Sequence, residues 1–302
     1  MDIFSRILAI ILPVFCVIGI GYGYARLRRD NIKSDMTAVN RVTMEALAPL
    51  LIFSALAAKD FSLVDNSLLI LAGVVISLGS GLLAWPFARL MGYEARTFVP
   101  PMIYNNSGNM GLPLAVLAFG PAGLSPAVAL FMASSVVFFS VGVKIVETGR
   151  HGRKSSLLKF FTSPMMLATI VGVAFSLLGI HLPEPLFAGL KLVGEASIPL
   201  MLFALGVRML DIRFDSWRIG LVGAVFCPLS GLVLALLLDA LLSFSPEQRG
   251  QMYLFSVLPP AVFCFMLAEQ YQQEPDKVAA IVLIGNLAAL VFVPFGLWLG
   301  LR

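Results

Sequence analysis

Three asparagines, a serine, two glycines and a proline stand together in YNNSGNMGLPLA, residues 104 to 115. The stretch interrupts an apolar segment that is otherwise long enough to span a bilayer. Gly108 and Gly111 allow backbone that other residues avoid, and Pro113 lacks an amide hydrogen and clashes with a continuing helix. The spacing predicts a broken membrane helix between Asn105 and Pro113. Lipid offers no partners for freed N–H and C=O groups, so a break is tolerated only where protein or a watery cavity surrounds it. Asn105, Asn106, Ser107 and Asn109 can supply the substitute hydrogen bonds. A half-helix restarting near Gly111 to Pro113 would aim a positive dipole end and unpaired amides into the cavity, which suits a carboxylate. A second break is predicted in SVLPPAVFCFMLAEQY, residues 256 to 271, where Pro259, Pro260 and Ala261 fall in mid-span. Two interrupted helices in corresponding positions of two halves are a sequence pointer to a transporter site.

The elements that must position these residues are membrane helices. Of 302 residues 59% are hydrophobic and 13% charged, and the mean hydropathy is +0.93. Soluble domains carry roughly a quarter charged residues. At about 20 apolar residues per crossing, the chain divides into ten spans, at about 4–25, 37–57, 67–90, 97–118, 126–147, 163–181, 186–209, 217–242, 250–271 and 277–300. No soluble domain is left over. The first span has no clear cleavage site and reads as a membrane helix, not a removed signal. The loops after odd-numbered spans hold fourteen Lys and Arg against four on the other side, which places those loops in the cytoplasm and both termini outside. The pI near 9.1 reflects this orientation; there is no basic aromatic platform for nucleic acid. Cys16, Cys227 and Cys264 all fall in apolar runs, without disulfide or metal spacing.

The second span contains EALAPLLIFSAL from Glu45, and the seventh contains EASIPLMLFALG from Glu195, 150 residues later in a chain of 302. Glu, Ala, Pro, Leu and Phe recur in register. Five spans per half would invert the second half, so the expected fold is an all-α membrane protein of two inverted five-helix repeats, 1–150 and 151–302, with spans four and nine broken and crossing. Glu45 and Glu195 each follow a basic residue by four positions, Arg41 and Lys191, and read as structural pairs.

NNSGNMGLPLAVLAFG, SPMMLATIVGVAFSLLGIHLP, VGEASIPLMLFALG and LPPAVFCFMLAEQY resemble signatures of the auxin efflux carrier family, in order along the whole chain. The resemblance implies a fold similar to bile acid symporters and sodium/proton antiporters. Spans one, two, six and seven would form a scaffold, and spans three to five with eight to ten a mobile transport domain. It further implies elevator-type alternating access, a homodimer in the inner (plasma) membrane, and a gate or coupling role for Glu269 and Tyr271 beside the crossover. The short middle loop, about Thr148 to Thr162, differs from the long insert of plant members and fits a bacterial one. Ser135, inside span five, and Asn286, inside span ten, are read as lining the same cavity.

The expected function is carriage of a small organic anion: a carboxylate or dicarboxylate such as malonate or malate, or an auxin-like acid. No cofactor is expected beyond a coupling ion, H+ or Na+. Sodium-coupled symport of the anion is the alternative within the fold. Sodium/proton antiport needs midplane carboxylates, whereas every aspartate falls in a loop or at a helix end. An embedded hydrolase is disfavoured because the two histidines, His151 and His181, lie far from any midplane serine.

Overall fold

The computed structural model describes residues 3–28, 32–58, 62, 64–147, 162–211 and 216–302. Most of the middle loop (148–161), with His151, lies outside the described residues. So do Arg29, Lys59 and Arg213, three of the charges counted for orientation.

The described residues form helices joined by turns, with one isolated β-bridge between Asn105 and Pro260. Seven helical stretches are long and apolar enough to cross a membrane: Ile7–Leu27, Met36–Leu56, Ser67–Leu90, Pro121–Glu147, Glu184–Arg208, Trp217–Leu241 and Pro275–Gly300. The protein is therefore a multi-pass membrane protein. Three of the expected ten spans are not continuous helices of that length. The fourth consists of α5 (Ala95–Ile103), a π turn (Ser107–Gly111) and α6 (Leu112–Phe119). The ninth consists of α13 (Pro246–Ser256) and α14 (Val262–Tyr271). The sixth is the shorter helix α9 (Pro164–Leu178), stopped by Gly179 in left-handed conformation.

Prolines shape two of the remaining spans. A proline clashes with the carbonyl four residues back and can kink, widen or break the helix; Pro13, Pro86, Pro228 and Pro294 stand inside continuous helices, but the second and seventh spans deform. The second span is α2 (Ile32–Val42), a π turn (Thr43–Leu47) and α3 (Ala48–Leu56), with the widening directly ahead of Pro49. The seventh is α10 (Glu184–Glu195) and α11 (Ser197–Arg208), with the joint directly ahead of Pro199. The two members of the EALAP/EASIP pair thus deform at the same place. The deformation also corrects one expectation. Lys191 and Glu195 form an exposed ion pair at 3.8 Å, but Arg41 and Glu45 do not pair, because the π turn begins between them and carries Glu45 off the row of Arg41.

Two sets of helices pack internally. α1 (Ile3–Leu27) lies along α11, and α3 lies against α9 and α10. The approach of α1 to α11 depends on glycine: a Cβ on Gly206 would sit 1.9 Å from Ile18 O, and one on Gly21 would sit 2.2 Å from Phe203 O. Close backbone contact through small residues is how helices associate where lipid removes the hydrophobic driving force. The second set holds both broken spans. There α4 (Ser67–Leu90) packs on α5, α7 (Leu124–Val137) and α12 (Trp217–Leu241), while α15 (Pro275–Gly300) packs on α12, α13 and α14. The fifth span ends in α8 (Val143–Glu147).

Candidate functional site

The two interruptions meet. α5 has nine residues and α13 eleven, about 13 and 16 Å of helix at 1.5 Å per residue. Each break therefore falls about halfway through a hydrocarbon core of roughly 30 Å. Tyr104 leaves α5 in extended conformation, as does Ala261 ahead of α14. The extended pieces pair antiparallel: Asn106 N–H donates to Pro259 O at 2.6 Å, and Ala261 N–H donates to Tyr104 O at 2.9 Å. Each break supplies hydrogen bonds that the other lacks, as a break away from water requires.

Side chains complete the junction. Asn105 Nδ2 donates to Phe255 O at 2.7 Å, capping the carbonyl end of α13. Asn106 Nδ2 donates to Asn286 Oδ1 at 3.0 Å, and Asn286 Nδ2 donates to Val282 O on its own helix at 2.7 Å. Ser135 Oγ donates to Phe131 O at 2.7 Å. Its single proton is thereby used, so the Tyr104 hydroxyl, 3.2 Å away, is the donor between the two. Tyr104 also stacks on Phe138 with ring centroids 4.5 Å apart. The structure thus gathers Asn105, Asn106, Ser107, Pro259, Pro260, Ala261 and Asn286 at one place, with Ser135 one residue removed.

Two polar atoms there lack a protein partner. Asn105 Oδ1 and Ser107 Oγ are buried and unbonded, although an unsatisfied buried polar group costs about 1–3 kcal/mol. Ser107 lines a small space of about 10 Å³ with Gly111, Gln251 and Leu258. The turn beginning at Ser107 leaves its first amides without intrahelical acceptors. The Met110 and Gly111 amides already bond Asn106 O, at 3.0 and 3.1 Å. The free donors are thus those of Ser107, Gly108 and Asn109, earlier than the expected restart at Gly111 to Pro113. Pro113 stands in the first turn of α6, where a missing N–H is harmless. Widening to a π turn absorbs its clash, and the chain is helical from Ser107 onward.

The sequence pattern of the family described as Membrane transport protein (Mem_trans) matches residues 6–155 and 150–297, nearly the whole chain. The chain belongs to this family. Relatives agree with that membership. An "Uncharacterized transporter" of Methanothermobacter thermautotrophicus is 28% identical over 280 residues, covering 88% of this chain and 89% of that one. A Rhizobium meliloti protein named "Putative malonate transporter" is 24% identical over 309 residues, covering 96% and 94%.

Of the other residues singled out in this Mem_trans chain, Glu269 and Tyr271 lie away from the junction. Glu269 is exposed near the end of α14. Tyr271 is buried there and donates to Glu147 Oε1 at 2.9 Å, tying α14 to the end of the fifth span. Gly108 and Asn109 are half-buried. A Cβ on Gly111 would come within 2.8 Å of Leu258, so this glycine serves contact between the two breaks. Beyond the membrane helices, Glu274 takes left-handed backbone (φ 41°), accepts from Thr97 Oγ1 at 2.6 Å and pairs with Lys277. Burial works to raise its carboxyl, but the bonds from Lys277 and Thr97 and the charges of Lys277 and Arg96 outweigh that, and its pKa is lowered.

Sequence reasoning passed over both cysteines at the junction. The Cys227 thiol lies 3.9 Å from Pro101 O and 3.7 Å from Leu258 O, and the Cys264 thiol lies 3.8 Å from both Pro100 O and Tyr104 O. They face carbonyls at the end of α5. No local pattern in the sequence marks them, because their partners come from other helices.

Proposed function

We propose that this Mem_trans protein is a secondary carrier, not an enzyme, for a small organic anion: a carboxylate or dicarboxylate of the malonate or malate kind, or an auxin-like acid. The observation that carries the reading is the pair of joined helix breaks with Asn105 Oδ1 and Ser107 Oγ buried and unpartnered beside them. A carboxylate accepts hydrogen bonds, and the amides of Ser107, Gly108 and Asn109 with the Ser107 hydroxyl are donors at the positive end of a half-helix. Gly111, Pro113, Pro259, Pro260 and Ala261 shape the backbone around it. The name of the Rhizobium meliloti relative is consistent with a dicarboxylate.

The proposed architecture is ten crossings in two inverted repeats, 1–150 and 151–302, in the bacterial inner membrane with both termini outside. The matched deformations ahead of Pro49 and Pro199 support the repeat. The two packing sets support a scaffold of spans one, two, six and seven and a transport domain of the others, moving as an elevator in each half of a homodimer. Tyr271, bonded to Glu147, and the exposed Glu269 would act at the inner gate. Among the described residues no Asp, Glu, Lys, Arg or His is buried, which disfavours sodium/proton antiport through a midplane carboxylate. Sodium-coupled symport is the second reading, because Asn105 Oδ1 only accepts and so faces a donor or a cation.

The test is thermal stabilisation of the purified protein by a panel of mono- and dicarboxylates, with and without sodium and at two pH values. A shift with one carboxylate class that disappears in Asn106→Ala supports the site, and its ion dependence names the coupling. No shift with any anion overturns the reading.

A further inference from the structure

A broad apolar groove lies away from the helix breaks, between α4 and α12. It encloses about 780 Å³ and is lined by Pro86, Phe87 and Leu90 on one side and Val222, Val225 and Leu229 on the other, with almost no polar surface. Along α12 it runs from Leu221 to Val233, about 18 Å at 1.5 Å per residue. That is close to half of a hydrocarbon core of roughly 30 Å, the depth of one leaflet. A groove of one leaflet's length fits the acyl chain of a lipid.

One end of the groove is charged. Arg89 stands in the last turn of α4 and Arg218 in the first turn of α12. The two helices run antiparallel along the groove, so both arginines belong to the end marked by Leu90 and Leu221. Arg218 continues the helical row of Val222, Val225 and Leu229 by one turn. Both arginines are exposed. Among the described residues neither pairs with a carboxylate. Each lies over a tryptophan of its own helix, Arg89 5.9 Å from Trp85 and Arg218 5.7 Å from Trp217. Tryptophan favours the headgroup level of a bilayer. The first-turn amides of α12 add to the positive end, because Ser216 makes no side-chain cap there.

We propose that α4 and α12 form a binding site for an anionic phospholipid of the leaflet on the arginine side. One acyl chain lies in the groove, and the phosphate is held between Arg89 and Arg218. The apolar lining alone would accept any lipid; the two guanidiniums select the negative headgroup. Since this helix pair packs on α5, which leads into the first break, an occupied groove braces the half-helix behind the site. The site stands independently of which substrate is carried.

The experiment uses the full chain, delipidated in detergent, titrated with dioleoylphosphatidylglycerol and followed by native mass spectrometry. Binding is expected to saturate, with dioleoylphosphatidylcholine much weaker. Each arginine near a charged lipid surface is worth roughly fivefold in affinity, so R89Q/R218Q should bind about thirtyfold more weakly. Val225→Trp, which fills the groove and keeps both charges, should weaken binding too, and Arg302→Gln at the opposite end of α15 should not. Glycerol 3-phosphate at the same concentration should fail to compete, separating a lipid from a free phosphate. Equal binding by the double variant and the wild type, or equal affinity for the zwitterionic lipid, would overturn the proposal. So would competition by glycerol 3-phosphate, or a protein dimer that Val225→Trp dissociates with lipid binding unchanged.

Discussion

The bond between Asn106 and Asn286 joins the break in the fourth span to the tenth span, and both residues are at most 2% exposed. Replacing Asn286 with leucine leaves the Asn106 amide donor buried without an acceptor, at a cost of about 1–3 kcal/mol. Replacing Asn106 leaves the Asn286 carbonyl in the same position. Replacing both with leucine removes both orphans, and such paired replacement is close to neutral. Polar contacts between membrane helices show coupling of about 0.6 kcal/mol on average and up to roughly 1.7. The double variant should therefore lose less than the sum of the singles by about 0.6–1.7 kcal/mol. Unfolding free energies from denaturant titration in detergent supply the four corners of the cycle. Uptake of labelled malonate into proteoliposomes supplies the second readout: transport should remain abolished in the double variant although its stability has recovered. Strict additivity would mean that the hydrogen bond carries no energy. Wild-type uptake by the recovered double variant would falsify a role for this amide pair in carriage.

Further outcomes follow from particular contacts. A Cβ on Gly231 would lie 2.2 Å from Ser256 O, whereas one on Gly19 would meet nothing within 4 Å; Gly231→Ala should cost about 1–3 kcal/mol by thermal unfolding, and Gly19→Ala almost nothing. Tyr271→Phe removes the bond to Glu147 and should cost about 0.5–1.5 kcal/mol, with carboxylate affinity in equilibrium binding unchanged. Glu274 has a lowered folded pKa relative to its ordinary 4.5, so it contributes stability that is fully present above about pH 4.5 and lost as pH falls through the lowered value. The difference in melting temperature between wild type and Glu274→Gln should shrink over that acidic window; a constant difference would show that the carboxylate charge is not what ties the loop to Thr97.

Much of this was legible in the sequence, because membrane helices announce themselves by apolar length and their interruptions by proline, glycine and amides. The prolines at 259 and 260 located the second break to within two residues. The first break lies at the head of the expected Asn105 to Pro113 stretch, but the restart comes at Ser107 and not at Gly111 to Pro113, because a π turn absorbs the proline and the chain opens at Tyr104. Propensity sees the proline but not the widened turn. The Arg41 and Glu45 spacing failed for the same reason: a rule of four residues holds only where the helix keeps its pitch. Asn286 was a single asparagine in an apolar helix, and nothing local could have matched it to Asn106, 180 positions away. The thiols of Cys227 and Cys264 were equally silent, since their partners are carbonyls whose availability depends on another helix ending beside them.

The junction has a consequence for how the two halves depend on each other. Neither break satisfies itself: the Asn106 amide needs Pro259 O, the Ala261 amide needs Tyr104 O, and Phe255 O at the end of α13 needs the Asn105 side chain. In a medium without water, every one of these groups left alone costs several kcal/mol, so each half of the chain is the other's solvent at that depth. The junction is accordingly not a property of either half. Asn105 Oδ1 and Ser107 Oγ stay unpaired at this depth while the Asn106 and Ala261 amides bond across the two breaks. Glycine at 285 leaves room for the Pro260 ring, which a Cβ would meet at 2.8 Å, and glycine at 111 leaves room for the end of the Leu258 side chain. The small residues, the amides and the prolines therefore work together: prolines open the helices, glycines let the openings touch, and the Asn105 and Asn106 side chains bond across to Phe255 O and Asn286.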